Sequence, residues 1–140
     1  MAEPRLDVER RIGAPPDEVF AYLTDPAKYA RWMGRDAELD PRPGGLYRVR
    51  MSPDAVALGE YVAVEPPSRV VFTWGWEGSG SVPPGSTTVE ITLQEDGDGT
   101  LLRLRHTGFS SDADADLHRE GWEMYVARLA AVSRAAAGGP

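Results

Sequence analysis

The sequence predicts an α+β domain. One antiparallel sheet of six strands packs on a long C-terminal helix, and two short helices follow the first strand. Three observations predict it. From Gly44 to Gly108, five segments of period-2 apolar alternation succeed one another across turns and loops, as in an antiparallel meander. Apolar residues then recur at helical spacing from about Asp112 to about Ala136, a helix roughly 37 Å long. A sheet with one apolar face must cover it, and only that helix is long enough to do so.

The elements follow in order. "RLDVERRIG" alternates Leu6, Val8, Arg10 and Ile12 against Asp7, Glu9 and Arg11, a first strand. "APPDEVFAYL" opens a helix: its prolines stand where a first turn tolerates them, and Asp17 and Glu18 suit the positive end of the dipole. Val19, Phe20 and Leu23 form its apolar stripe. After Asp25-Pro26 a second short helix carries Tyr29, Trp32 and Met33. "GGLYRVRM" and "GEYVAVE" are the next two strands. "SRVVFTWGWEG" sends Val70, Phe72, Trp74 and Trp76 to one side and Val71, Thr73, Gly75 and Glu77 to the other. "TTVEITLQE" and "TLLRLRHTG" flank "DGDG", a strong hairpin signal, and place Val89, Ile91, Leu93, Leu102, Leu104 and His106 on inner faces. In the last helix Leu117, Gly121, Trp122, Tyr125, Leu129 and Val132 form the stripe, and the tail "AAAGGP" is expected to fray.

A chain of 140 residues suggests a single domain, 1–140, able to bury roughly two-thirds of its unfolded surface. The absence of cysteine excludes disulfides, thiol nucleophiles and cysteine-ligated metals, and fits a reducing cytoplasm, the expected location. "MAEPRLDVERRIG" lacks an apolar signal core, and no run approaches membrane-spanning length. A net charge of −7, one lysine (Lys28) and scattered arginines argue against nucleic acid, which needs clustered cations.

Several stretches, in order, resemble a known family. They are "IGAPPDEVFAYLTDPAKYARWM", the Gly44-Gly45 pair, "GEYVAVEPPSRVVFTW", "HTGF" at His106–Phe109 and "GWEMYVARL" at Gly121–Leu129. Together they cover nearly the whole chain. The set is similar to the START-like, or SRPBCC, superfamily. Within it the chain resembles the group named after the activator of heat-shock protein 90 ATPase. The resemblance implies a helix-grip fold, a curved sheet wrapped around the C-terminal helix with a cavity between them.

Residue chemistry then defines the candidates. Trp32, Tyr47, Phe72, Trp74, Trp76, His106, Trp122 and Tyr125 are the expected ligand-binding residues. For Trp74 two readings stand side by side, plain core and cavity wall; Trp76, nearer the strand end, suits a rim or a surface. His106 is either a hydrogen-bonded core residue or an acid/base group inside the cavity. Gly121 is expected to let the helix approach the sheet, beside Trp122. His118 reads as a surface residue. "DADAD" at Asp112–Asp116 fails the calcium-loop pattern, because Leu117 stands where glycine is required; it reads as a helix N-terminus capped by Ser110 or Ser111. No catalytic residue, cofactor or metal site is assigned.

Three functional classes follow. The first is a protein binding a hydrophobic small molecule, lipid-like or aromatic. The second is a cavity enzyme like the superfamily's cyclases and dehydratases, with His106, Tyr47, Tyr61 or Tyr125 as candidate groups. The third is a co-chaperone-like interaction domain. The eukaryotic protein that names the group has a separate N-terminal domain contributing to chaperone binding, to which nothing here corresponds.

Overall fold

Proline and aspartate place the first helices. In the computed structural model, which describes residues 4–137, β1 (Arg5–Ile12) leads into α1 (Pro16–Thr24) and α2 (Pro26–Met33). Pro16 and Pro26 each stand in a first turn, where a missing N–H costs nothing. Asp25 ends one helix and caps the next, its side chain accepting from the amides of Ala27 (2.9 Å) and Lys28 (3.2 Å).

The sheet then builds through β2 (Asp36–Leu39), β3 (Leu46–Ser52), β4 (Ala55–Glu65), β5 (Arg69–Trp74), β6 (Thr87–Asp96) and β7 (Gly99–Thr107), before α3 (Asp112–Ala137). Among the described residues it has seven antiparallel strands, not six, in the order β1-β7-β6-β5-β4-β3-β2. The extra strand is β2, "DAEL", four residues paired only along β3. Neither of its faces is fully buried, so it writes no apolar alternation into the sequence. The strand read over Gly59–Glu65 begins earlier, at Ala55. Register shifts in β3–β4 and β4–β5 add the irregularities by which a sheet bends around a helix. This is the helix-grip architecture.

The hairpin at "DGDG" closes through Gly97 and Asp98, with Gly97 at φ +63°, a conformation in which a side chain is strained. Ser111 caps α3, its hydroxyl accepting from the Asp114 amide at 3.1 Å, so the acidic run is a helix N-terminus. Inner faces of the sheet contribute Leu6, Tyr47, Val70, Phe72, Ile91 and Leu104 to one buried cluster. From α3 come Ala115, Trp122, Val126 and Leu129, while α1 and α2 pack against α3. The expected tail extends to Gly138–Pro140, which lie outside the described residues.

Candidate functional site

Strand alternation delivers Phe72 and Trp74 inward, both almost wholly buried. Burying one such indole is worth about 4–6 kcal/mol by area, as an upper figure. Beyond Trp74 the strand cannot continue in the same way. A side chain at Gly75 would collide with the Pro83 carbonyl, so the backbone of the following loop packs directly on that glycine. Trp76 is set by a single bridge to Ala57 and remains half-buried. Its ring meets Trp74 edge-on at 5.2 Å, and Trp74 lies 5.2 Å from Trp122 of α3.

These indoles wall a groove of about 380 Å³. The turn between β3 and β4 supplies Met51, Ser52 and Ala55, and α2 supplies Met33. The far side is α3: Leu117, His118, Gly121, Trp122, Met124 and Tyr125. Three of the chain's four methionines therefore share one wall system. Among the described residues no aspartate, glutamate, lysine or arginine lines it. Gly121 does not bring helix and sheet together, as expected from the sequence; a Cβ there meets nothing within 4 Å. It opens the groove. Leu117, expected in the buried stripe, is 65% exposed at the rim.

Two other concavities are larger and differently made. One, of about 450 Å³ on the outer sheet face, is lined by charges that neutralise one another, Arg105 with Asp7 at 3.0 Å and Arg103 with Glu9 at 2.8 Å. The other, of about 550 Å³, holds Arg10, Arg11 and Arg134 beside alanines of α3; Arg11 is paired with Asp96 and Asp98. Binding sites for small molecules are mostly apolar with few polar groups, which favours the indole groove.

The polar atoms behind the groove form one chain. Trp122 Nε1–H donates to His106 Nδ1 at 3.0 Å. An indole only donates, so the His106 proton sits on Nε2, which donates to Thr87 Oγ1 at 2.7 Å. The Thr87 hydroxyl donates in turn to the Trp74 carbonyl at 2.7 Å. His106 is fully buried, and burial first, then the nearby His118, pushes its pKa down to about 2. It is a neutral, saturated core residue between Trp74 and Trp122, with no free lone pair for a proton or a metal.

His118 was expected at the surface. It stands half-buried on the groove wall, one turn from both Ala115 and Trp122 and therefore on their face of α3. Its Nδ1–H donates to the Asp114 carbonyl at 2.7 Å, and Nε2 accepts from Trp76 Nε1–H at 2.9 Å. Desolvation lowers its pKa. Tyr47 is buried with its hydroxyl bonded to Tyr29, and desolvation raises its pKa; Tyr61 is raised likewise.

A family model covers most of the chain. That of the Activator of Hsp90 ATPase homolog 1-like proteins matches residues 13–134. The chain belongs to this family. An AHSA1-like protein of Rhizobium etli is 47% identical, the match covering 97% of this chain and 86% of that one at a TM-score of 0.71. DynU16, of the dynemicin biosynthetic locus, is 27% identical at a TM-score of 0.80 over 92% of this chain; the match spans 46% of DynU16. An HSP90 activator from Plasmodium falciparum, 19% identical over 91% of this chain and 94% of that one, shares the fold at a TM-score of 0.74. No curated protein matches.

In this AHSA1-like domain, four of the eight expected ligand-binding residues, Trp74, Trp76, Trp122 and Tyr125, meet at the groove. Trp32, Tyr47, Phe72 and His106 are buried outside its lining, and of these Tyr47 and His106 lie 6.0 and 5.8 Å from Trp74 between ring centroids. Sequence reasoning missed His118, Met33, Met51, Leu117 and Met124 as wall or rim residues. For His118 and Met124 a signal existed: with Leu117, Gly121 and Tyr125 they lie three or four residues apart along α3. For Met51 none did, since only the sheet's bend brings that turn to the helix.

Proposed function

We propose that this AHSA1-like domain binds a small, uncharged, flat aromatic molecule between β5 and α3. One observation carries the reading: a groove walled by indoles and thioethers, free of ionised side chains among the described residues, and hollowed by a glycine where α3 would otherwise carry a side chain. Its volume lies near the low end for small-molecule sites. The likeness to DynU16, a protein of the dynemicin biosynthetic locus, supports the same reading.

The test is a fluorescence titration with the neutral probe N-phenyl-1-naphthylamine. The expected result is saturable binding with a blue-shifted emission. Gly121→Leu, which fills the open space beside the helix, weakens it about tenfold or more while leaving the unfolding midpoint near that of the parent. No binding to the parent, or equal binding to both proteins, ends the reading.

The enzymatic alternative loses its first candidate, because His106 is sealed into the core. His118 is the one imidazole on the groove wall. A docking role for a protein partner has the exposed rim residues Leu117 and Met124 in its favour. It predicts that Leu117→Ser abolishes partner capture while leaving the probe bound.

A further inference from the structure

Four indole N–H groups are described, and three have acceptors. Trp32 donates to the Tyr22 carbonyl at 2.9 Å, Trp76 to His118 and Trp122 to His106. Trp74 Nε1 does not: it is the one buried side-chain polar atom among the described residues with no hydrogen-bond partner in the protein. Folded proteins pair such donors almost without exception, because an unmatched buried N–H forfeits its hydration. No neighbour of this ring accepts from it in the structure. Trp76 and Trp122 offer only donors that are already engaged, His106 has both nitrogens bonded, and Thr87 directs its hydroxyl to the Trp74 carbonyl. Trp74 lines the groove with part of its ring, while its Nε1 is sealed from solvent, so an acceptor reaches it only as the lining side chains move aside.

Resting on the reading of the groove as a binding site, we infer that its ligand carries a neutral hydrogen-bond-accepting oxygen, a ketone, quinone or aryl ether, set against the Trp74 indole N–H. The wall decides between neutral and anionic acceptors. A carboxylate or sulfonate would be desolvated there with no arginine or lysine among the described lining residues to offset its charge. A carbonyl needs only the one donor. Trp76 and Trp122 then provide faces for the ring system that bears it, each ring centroid 5.2 Å from that of Trp74.

The experiment compares two probes of one shape, 9-fluorenone, which has the oxygen, and fluorene, which has a methylene in its place. Binding to the 15N-labelled protein is followed through its indole N–H signals, assigned by through-bond correlations. Fluorenone is expected to bind about 3- to 10-fold more tightly than fluorene, and only fluorenone should move the Trp74 signal downfield. In Trp74→Phe, which keeps an aromatic ring and removes the donor, the two probes should bind equally. Equal affinity in the parent with an unmoved Trp74 signal overturns the acceptor inference and leaves the groove standing as a site. If neither probe binds, the groove reading falls with it. Should Trp74→Phe fail to fold, the signal in the parent protein decides alone.

Discussion

His106 shows how one polar side chain is kept inside an apolar wall. Its two nitrogens do opposite jobs, accepting from Trp122 and donating to Thr87, so the ring is locked in one tautomer and joins α3 to β6 and β7. Removing it strands a buried indole N–H and takes away the donor to the Thr87 oxygen, whose hydroxyl still bonds the Trp74 carbonyl. His106→Ala is expected to lower stability by about 2–4 kcal/mol in chemical denaturation, from the cavity and the lost partners together. A shift under 0.5 kcal/mol would contradict the chain of bonds. The sequence placed this residue on the inner face correctly, since Leu102, Leu104 and His106 share one alternation. It could not show that both nitrogens are consumed. That depends on Thr87 and Trp122, which lie 19 and 16 residues away. Gly121 was legible only as an oddity in a helix; whether such a gap admits the sheet or a ligand depends on what stands opposite it.

At the scale of the element, the helices and the hairpin were the readable parts because their signals are local. Asp25-Pro26 carries a cap and a first-turn proline in two adjacent residues. Asp25→Ala should therefore cost about 1 kcal/mol, measured as a shift in thermal midpoint, and should loosen α2, which carries Met33 to the groove. Asp25→Ser should recover most of the loss; a Ser variant as weak as the Ala variant would mean that the cap is not the source. "DGDG" likewise needs only its own glycines. β2 was illegible for the converse reason: four half-exposed residues depend for their conformation on β3, to which they are paired from Asp36–Arg50 to Leu39–Tyr47.

For the molecule as a whole, the buried imidazoles set a direction for acid. His106 takes up its proton at about 2 when folded and near 6.5 when unfolded. Below 6.5 the unfolded chain therefore binds more protons, and stability falls as pH falls, by about 1.4 kcal/mol per unit from His106 alone until its folded pKa is reached. His118, also lowered, acts in the same direction. Urea unfolding between pH 7 and pH 4.5 should show this decline, and His106→Gln should flatten it; an equal slope in the variant would place the effect elsewhere. The general architecture was legible because it follows from element order. The groove was not, because it is assembled from α2, a turn, the end of a strand and one helix face, which only the bent sheet brings together.

Met33, Met51 and Met124 give that assembly a particular temper. A thioether chain has three rotatable bonds, no branch and a soft, polarisable sulfur, so it re-forms around different outlines at little cost. The indoles beside them are held by their neighbours. Part of the lining thus behaves as a template and part as putty. Ligands of unlike silhouette should lodge there with similar strength, and the same sulfurs expose the site to peroxide, which would turn a pliant oily lining into a stiff polar one.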